Sequence, residues 1–147
     1  MLEKTFVIYA LGGYGKNLRK EISKQRKYYF YDLGVRNCII GNFAHVSQRN
    51  DTGALWENFV INERKKQLEY NRIFAESYFW RTYSGAEIDY IEVRNNQINA
   101  FEIKYSKRKA KIPQSFIEAY PHTNYSVICK ENMVEFADGL GFIKGEL

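Results

Sequence analysis

The chain has 147 residues, of which 45% are hydrophobic and 16% aromatic, enough to form the core of one globular domain. Lysine and arginine outnumber aspartate and glutamate by 22 to 17, and the formal net charge of +5 permits a polyanionic partner without requiring one. The longest apolar run near the start, residues 5–13, is too short to span a membrane, so no membrane association is expected.

The first fifty residues contain two runs with strand composition, at residues 5–11 and 27–31. We interpret the tyrosines of the second run as core residues rather than as base-stacking residues, because strand side chains alternate between two faces. A short helix over residues 32–40 follows. Residues 1–50 are therefore predicted to be a β/α extension, or appendage, that packs on a core formed by residues 51–147.

The two cysteines, Cys38 and Cys129, lie in apolar runs and neither has a C-x-x-C neighbour. Each is interpreted as a small buried hydrophobic residue. Unpaired cysteines of this kind are typical of a reducing compartment, so we expect a cytoplasmic protein.

A helix with one apolar face is predicted to begin near Thr52, where Asn50, Asp51 and Thr52 can each cap it. Its apolar stripe has helical period and consists of Leu55, Trp56, Phe59, Val60 and Leu68. Glu57 lies at the flank of this stripe, which places its carboxylate at the rim of the surface that the helix covers.

Runs with strand composition follow this helix and indicate a meander and a final strand. These predicted strands are residues 77–83, 87–93, 98–105 and 125–129. Between the third and the fourth of them, Pro113 can open a helix that continues to about Ala119. The element order from Thr52 is therefore α-β-β-β-α-β, which predicts an α/β (α+β) fold class.

Acidic and basic side chains converge on the third of these strands. Glu102 and Lys104 are two residues apart, so a pleated strand points both to the same face. If Asn95-Asn96 forms a two-residue hairpin turn, the register places Asp89 directly opposite Glu102. Two carboxylates about 5 Å apart repel one another unless a proton or a cation lies between them. The pattern predicts that Asp89 and Glu102 bind Mg²⁺ or Mn²⁺.

The same alternation places Ile91, Val93 and Ile98 on the face that carries the two carboxylates. We expect this apolar surface to seat the helix stripe and so to bring Glu57 close to the metal. Lys104 would then hold the attacking water or stabilise negative charge that develops on a phosphate.

A run of basic residues follows the Glu-x-Lys strand, and no acidic residue interrupts it. This run, which is suited to the backbone phosphates of DNA, consists of Lys107, Arg108, Lys109 and Lys111. Residues 16–27 hold six basic residues against one glutamate and form a second basic segment, although either segment can be a solvated face.

The order of a helical glutamate, a strand aspartate and Glu-x-Lys on the next strand resembles the PD-(D/E)XK nuclease superfamily, whose common core is also α-β-β-β-α-β. This resemblance implies a restriction-endonuclease-like core with a central mixed sheet. It also implies that Asp89 and Glu102 bind metal, that Lys104 acts in catalysis and that Glu57 assists.

A closer resemblance spans nearly the whole chain and points to the uncharacterised C-terminal domain of bacterial and archaeal AAA-type ATPases. It is carried by Gly53-Ala-Leu-Trp-Glu-Asn-Phe59, Glu87-Ile-Asp-Tyr90 and Phe101-Glu-Ile-Lys104, preceded by Tyr29-Phe-Tyr-Asp-Leu-Gly34. The resemblance implies a fragment of a longer ATPase, with an ATPase domain of the same protein as a partner. Residues 12–17 lack the spacing and the Ser/Thr of a nucleotide-binding P-loop.

The leading hypothesis is a metal-dependent phosphodiesterase of the nuclease type that acts on DNA. One alternative is a non-catalytic module that binds DNA or a protein partner and regulates an ATPase. The other is a structural interaction domain in which Asp89 and Glu102 are solvated and bind no ion.

Overall fold

The computed structural model describes residues 2–15, 24–106 and 110–138. These residues form six strands and four α-helices in the order β1 (Ile8–Gly13), β2 (Arg26–Phe30), α1 (Leu33–Ile40), α2 (Thr52–Tyr70), β3 (Glu76–Arg81), β4 (Glu87–Arg94), β5 (Gln97–Ile103), α3 (Gln114–Ala119), β6 (Asn124–Ile128) and α4 (Met133–Asp138). The predicted order α-β-β-β-α-β from Thr52 onward is confirmed, and so is the mixed α/β class. Helix α4 was not predicted.

All six strands form one mixed sheet with the order β2-β1-β3-β4-β5-β6. Strands β3, β4 and β5 form the predicted antiparallel meander, and β6 joins β5 in parallel. Strands β1 and β2 form an antiparallel pair, and β1 lies parallel to β3. The strands of the N-terminal segment therefore extend the same sheet that carries the predicted site.

The turn between β4 and β5 has the predicted form. Asn95 and Asn96 have φ values of 49° and 62°, the left-handed pair that a two-residue type I′ hairpin requires. Arg94 pairs with Gln97, and Ile91 pairs with Ala100. The turn chemistry thus sets the register from Tyr90–Phe101 to Arg94–Gln97, as the sequence predicted, whereas the predicted Asp89–Glu102 pair lies beyond these paired residues.

The sheet has a buried core on each face. On one face, Val60 and Ile61 of α2 pack with Tyr90, Phe101 and Phe136, so that α2 and α4 cover this side. On the other face, Phe116 of α3 packs with Trp80, Ile88, Ile91 and Ala100. The two cores sandwich the central strands, which explains why β4 is buried over most of its length.

The prediction that Ile91, Val93 and Ile98 seat helix α2 is wrong, because these three residues belong to the core beneath α3. Helix α2 packs instead on the face formed by the large side chains Tyr90 and Phe101. Strict alternation along β4 also fails, since the β3–β4 register shifts between Tyr78 and Trp80. This irregularity allows Ile88 and Ile91, three residues apart, to enter the same core.

The predictions for helix α1 and for the two cysteines have mixed outcomes. Helix α1 is confirmed: the Asp32 carboxylate caps it by accepting a 2.7 Å hydrogen bond from the Val35 N–H, and Gly41 ends it with a φ of 64°. Cys129 is buried as predicted, whereas Cys38 on α1 is exposed. Among the described residues, no helix is both long and apolar enough to cross a membrane.

Buried asparagines of α2 fix strand β2. The Asn58 side chain accepts a 3.0 Å hydrogen bond from the Phe30 N–H and donates one of 2.9 Å to the Phe30 carbonyl. Asn62 donates to the same carbonyl at 2.8 Å and accepts a hydrogen bond from the Tyr9 hydroxyl. Strand β2 lies at the edge of the sheet, and these side chains make the hydrogen bonds that a neighbouring strand would otherwise make. They also hold the end of β2 against α2.

Candidate functional site

Three of the four predicted catalytic residues line one cleft of about 380 Å³. Glu57 comes from α2, Asp89 from β4, and Lys104 follows the last residue of β5. The remaining lining residues are Thr52, Gly53, Ile103, Tyr105 and Ser106. The fourth predicted residue, Glu102, reaches the site through an ion pair between its carboxylate and the Lys104 ammonium.

The first turn of α2 forms one wall of this cleft, and the preceding loop braces it. The single hydrogen of the Thr52 hydroxyl is shared between the Val46 carbonyl at 2.9 Å and the Arg49 carbonyl at 3.0 Å. The Arg49 guanidinium in turn holds the Asp51 carboxylate with two hydrogen bonds, of 2.8 and 2.9 Å. Glu57 is therefore presented from a helix whose start is fixed.

Asp89 is the most buried acid of the cleft, with 9% of its surface exposed. Its Oδ2 accepts a 2.8 Å hydrogen bond from the Ile103 N–H, which fixes the carboxylate beside Lys104. Burial, followed by the negative charges of Glu57 and Glu102, raises the pKa of Asp89 to about 7. The Ile103 hydrogen bond and the Lys27 ammonium offset only part of this rise.

The Glu-x-Lys pair converges as the pattern predicted. Burial alone lowers the pKa of Lys104, but its hydrogen bond to Glu102 and the charges of Asp89, Glu102 and Glu57 outweigh this effect and raise it. Lys104 is therefore a protonated ammonium at neutral pH. An ammonium in this place can hold an anionic group that enters the cleft.

Strand β2 contributes two further site residues that the sequence analysis did not identify. The Lys27 ammonium lies 3.1 Å from Oε1 of Glu57, 4.0 Å from Oδ1 of Asp89, and in contact with Glu87. The Tyr29 hydroxyl donates a 2.6 Å hydrogen bond to Oε1 of Glu57. Lys27 and Tyr29 are two residues apart and therefore lie on the same face of β2. From the sequence, this alternation was interpreted as that of a strand in the core.

Glu87, at the start of β4, is also part of this cluster. Its carboxylate accepts hydrogen bonds from Arg81 and contacts Lys27. Burial alone raises the pKa of Glu87, but the hydrogen bonds to Lys27 and Arg81 outweigh it and lower the pKa. Glu87 is thus ionised and fully engaged in ion pairs.

A second cleft of about 410 Å³ shares Glu57 with the first. Its lining includes three cationic side chains, Lys27, Arg36 and Arg81, and the exposed aromatic ring of Tyr28. Glu57 and Glu87 also line this second cleft, so its three cations lie among two acids, and Glu57 separates the two clefts.

The predicted nucleic-acid contacts are only partly within the described chain. Lys111 is exposed in the segment between β5 and α3. Lys107, Arg108 and Lys109 lie outside the described residues, as does the greater part of the basic segment 16–27. No group of three or more His, Cys, Asp or Glu side chains that could hold a metal ion occurs within the ranges 2–15, 24–106 and 110–138.

Comparison with known proteins places the chain in a family. Residues 52–144 match the family described as a domain of unknown function (DUF4143), and the chain belongs to this family. An uncharacterized protein of Mycobacterium tuberculosis and one of Mycobacterium bovis are each 31% identical over 106 residues, which is 70% of this chain and 23% of each relative. The chain thus spans about a quarter of the length of these relatives. No solved structure matches it.

Proposed function

We propose that this domain is a metal-dependent phosphodiesterase of the PD-(D/E)XK type that acts on DNA. The observation that carries the proposal is the cleft lined by Glu57, Asp89 and Lys104, with Glu102 held against Lys104. The four residues stand in the chain order and on the element types of that superfamily. The chain order α2-β3-β4-β5-α3-β6 and the mixed sheet support a restriction-endonuclease-like core.

The residues at the head of the cleft fit a hydrated divalent cation. Mg²⁺ takes oxygen ligands and keeps several waters, so one or two carboxylates suffice, and Asp89 and Glu102 would provide them. Burial, followed by the negative charges of Glu57 and Glu102, raises the pKa of Asp89, and Lys27 offsets this rise only in part. The Tyr125 hydroxyl is buried, interacts electrostatically with Glu102 and Asp89, and has no hydrogen-bonding partner in the described chain. A buried hydroxyl of this kind is expected beside bound water. A bound Mg²⁺ or Mn²⁺ would polarise a phosphoryl oxygen and lower the pKa of a water ligand.

The protein's own groups have separate tasks in this proposal. The Lys104 ammonium is protonated and would stabilise the negative charge that develops on the phosphate during hydrolysis. Glu57 is fixed by Tyr29 and Lys27 and orients water at the rim of the cleft. The Oδ2 atom of Asp89 accepts the Ile103 N–H hydrogen bond, so that Oδ1, which lies 4.0 Å from the Lys27 ammonium, would be the oxygen that binds the divalent cation.

A DNA strand is the proposed substrate because basic residues occur in the adjoining cleft and in the segment that follows β5. Arg81 and Arg36 line the neighbouring cleft, Lys111 is exposed beyond β5, and the run from Lys107 to Lys109 follows in the sequence. Phosphates on either side of the cleaved bond would contact these groups. We further propose that the domain works in the cytoplasm beside an ATPase domain, and the greater length of the relatives supports a larger assembly of domains.

The direct test is cleavage of single- and double-stranded DNA in the presence of Mn²⁺ or Mg²⁺. Wild type is expected to cut, and Lys104→Ala is expected to lose at least a hundredfold in rate, a typical cost of removing one electrostatic stabiliser. Lys66→Ala, an exposed lysine on α2, is the matched control and is expected to cut at the wild-type rate. Equal cutting by the Lys104→Ala and Lys66→Ala proteins would refute the assignment.

A second function is favoured by a specific observation. Lysine or arginine side chains already contact three of the acids, since Lys27 binds Glu57, Arg81 binds Glu87 and Lys104 binds Glu102. Such a site can serve a non-catalytic module that binds DNA or regulates an ATPase. This alternative predicts DNA binding that weakens steeply with salt and no cleavage with any divalent cation.

A further inference from the structure

Lys27 is enclosed by acidic side chains from two other elements. Its ammonium contacts Glu57 of α2 and Glu87 of β4 and lies 4.0 Å from Asp89 of β4. Only 19% of its side chain is exposed, and the ammonium lies 5.6 Å from the centre of the Phe79 ring. A lysine placed so deeply is held by its partners rather than by solvent.

The backbone of β2 is as fixed as the side chain. Asn58 and Asn62 bind the Phe30 backbone from α2, and Lys27 pairs with Leu11 of β1 on the other side. Tyr29, two residues further on the same face, binds the same oxygen of Glu57 that Lys27 contacts. Lys27 cannot leave the cluster without breaking these contacts.

We propose that Lys27 is a positioning residue of the metal site, a built-in cation that holds Glu57 and Glu87 and weakens the binding of a divalent cation at Asp89. This inference rests on the proposed function. It divides the acids into two pairs: Glu57 and Glu87 are held by Lys27 and Arg81, whereas Asp89 and Glu102, the latter paired with Lys104, would bind the metal. The metal is thereby directed to the Lys104 side of the cleft, where the phosphate would lie.

The electrostatic consequence is a lowered metal affinity. The Lys27 ammonium is beyond hydrogen-bond distance of Asp89, yet it is close enough to repel a dication bound to that carboxylate. Removing this positive charge is expected to tighten Mn²⁺ binding roughly tenfold, because the Lys27 ammonium repels the double positive charge of Mn²⁺ over several ångströms. A purely structural role predicts unchanged or weaker binding.

The test is calorimetric titration with Mn²⁺ alone, without DNA, so that the readout does not depend on cleavage. Lys27→Gln keeps a hydrogen-bond donor to the two glutamates but loses the charge, and it is expected to bind Mn²⁺ roughly tenfold tighter than wild type. Lys27→Arg and the exposed-lysine control Lys66→Gln are expected to match wild type. Equal or weaker binding by Lys27→Gln, or no binding by either protein, would overturn the inference.

A second comparison covers the case in which Lys27→Gln fails to fold. In the double variant Lys27→Gln/Glu87→Gln, both members of one ion pair are neutral, and the reference is Glu87→Gln alone. Tighter Mn²⁺ binding by the double variant supports the role of Lys27, and equal binding refutes it. If the Lys27 variant binds Mn²⁺ more tightly but wild type cleaves no DNA, this inference stands and the proposed hydrolysis is refuted. If wild type cleaves DNA but the Lys27 variant has unchanged Mn²⁺ affinity, the proposed hydrolysis stands and this inference is refuted.

Discussion

The Asp89 carboxylate accepts a 2.8 Å hydrogen bond from the backbone N–H of Ile103. A side chain of β4 therefore joins the last residue of β5 directly beside Lys104. Asp89 is therefore buried near other acids. Its pKa rises to about 7 because burial and the charges of Glu57 and Glu102 oppose its ionisation. The proposed metal site and the expected pH dependence of stability both depend on this position.

The metal-free protein is expected to lose stability as the pH rises from about 4 to about 7. Asp89 binds its proton more tightly in the folded chain than in the unfolded one, so folding is favoured where the proton is kept and penalised above the folded pKa. The rise from 3.8 to about 7 corresponds to about 4 kcal/mol at most. Chemical denaturation at pH 5 and pH 8, with a chelator present, measures the difference.

Asp89→Asn is the control for this pH effect, because the amide does not titrate. The variant is expected to be more stable than wild type at pH 8 and to show a flatter pH profile. If the two proteins had parallel profiles, Asp89 would not be the group responsible, and its pKa would not be raised.

Tyr29→Phe is expected to destabilise the domain by about 1–2 kcal/mol, since it removes the 2.6 Å hydrogen bond to the Glu57 carboxylate. Cleavage should also fall, because Glu57 then keeps only its contact with Lys27. Thermal unfolding and the cleavage assay report the two effects. Tyr28→Phe, at an exposed neighbouring position, should change neither, and an equal effect of both substitutions would argue against the assigned role.

The buried ion pair between Arg64 and Glu92 connects α2 to β4. The guanidinium holds the carboxylate with hydrogen bonds of 2.6 and 2.8 Å, and it donates another of 2.8 Å to the Phe136 carbonyl of α4. Arg64→Ala leaves Glu92 buried and unpaired, with an expected loss of about 3–5 kcal/mol. Arg64→Met/Glu92→Leu should recover most of this in denaturant titration, and a double variant as unstable as the single one would contradict this account.

Asn58→Ala is expected to cost about 1–3 kcal/mol, because the Phe30 N–H loses its partner at the edge of the sheet. The greater local freedom of β2 should also raise hydrogen exchange at Lys27 and Tyr29. Asn71→Ala, which removes a side-chain contact at the exposed end of α2, is the control. Unchanged exchange along β2 in the Asn58 variant would show that the strand does not depend on this anchor.

Local chemistry in the sequence was sufficient for much of the site. The Asn95-Asn96 turn fixed the β4–β5 register, and the spacing of Glu102 and Lys104 predicted that their side chains converge, as their ion pair confirms. Alternation alone did not reveal which face receives α2, because both faces of β4 are apolar. That choice follows from the packing of Tyr90 and Phe101, together with a register irregularity that depends on β3.

The missed residues were those whose role depends on distant parts of the chain. Lys27 looked like the end of a basic segment. Tyr29 was predicted to be a core residue, which its burial confirms, but its hydrogen bond to Glu57 was not predicted. Their meeting with Glu57 requires β1 to lie between β2 and β3, a parallel pairing with no local signal. Prediction from single-sequence patterns therefore identified the acids of the hairpin but not the side chains that neutralise them.

Titration of the protein with Mn²⁺ by calorimetry, on wild type and on Asp89→Asn/Glu102→Gln, tests the central claim most directly. Wild type is expected to show one binding event, and the double variant is expected to bind at least tenfold more weakly while thermal unfolding shows that it remains folded. Absence of binding in wild type, or equal binding by the two proteins, would contradict the claim that Asp89 and Glu102 form a metal site.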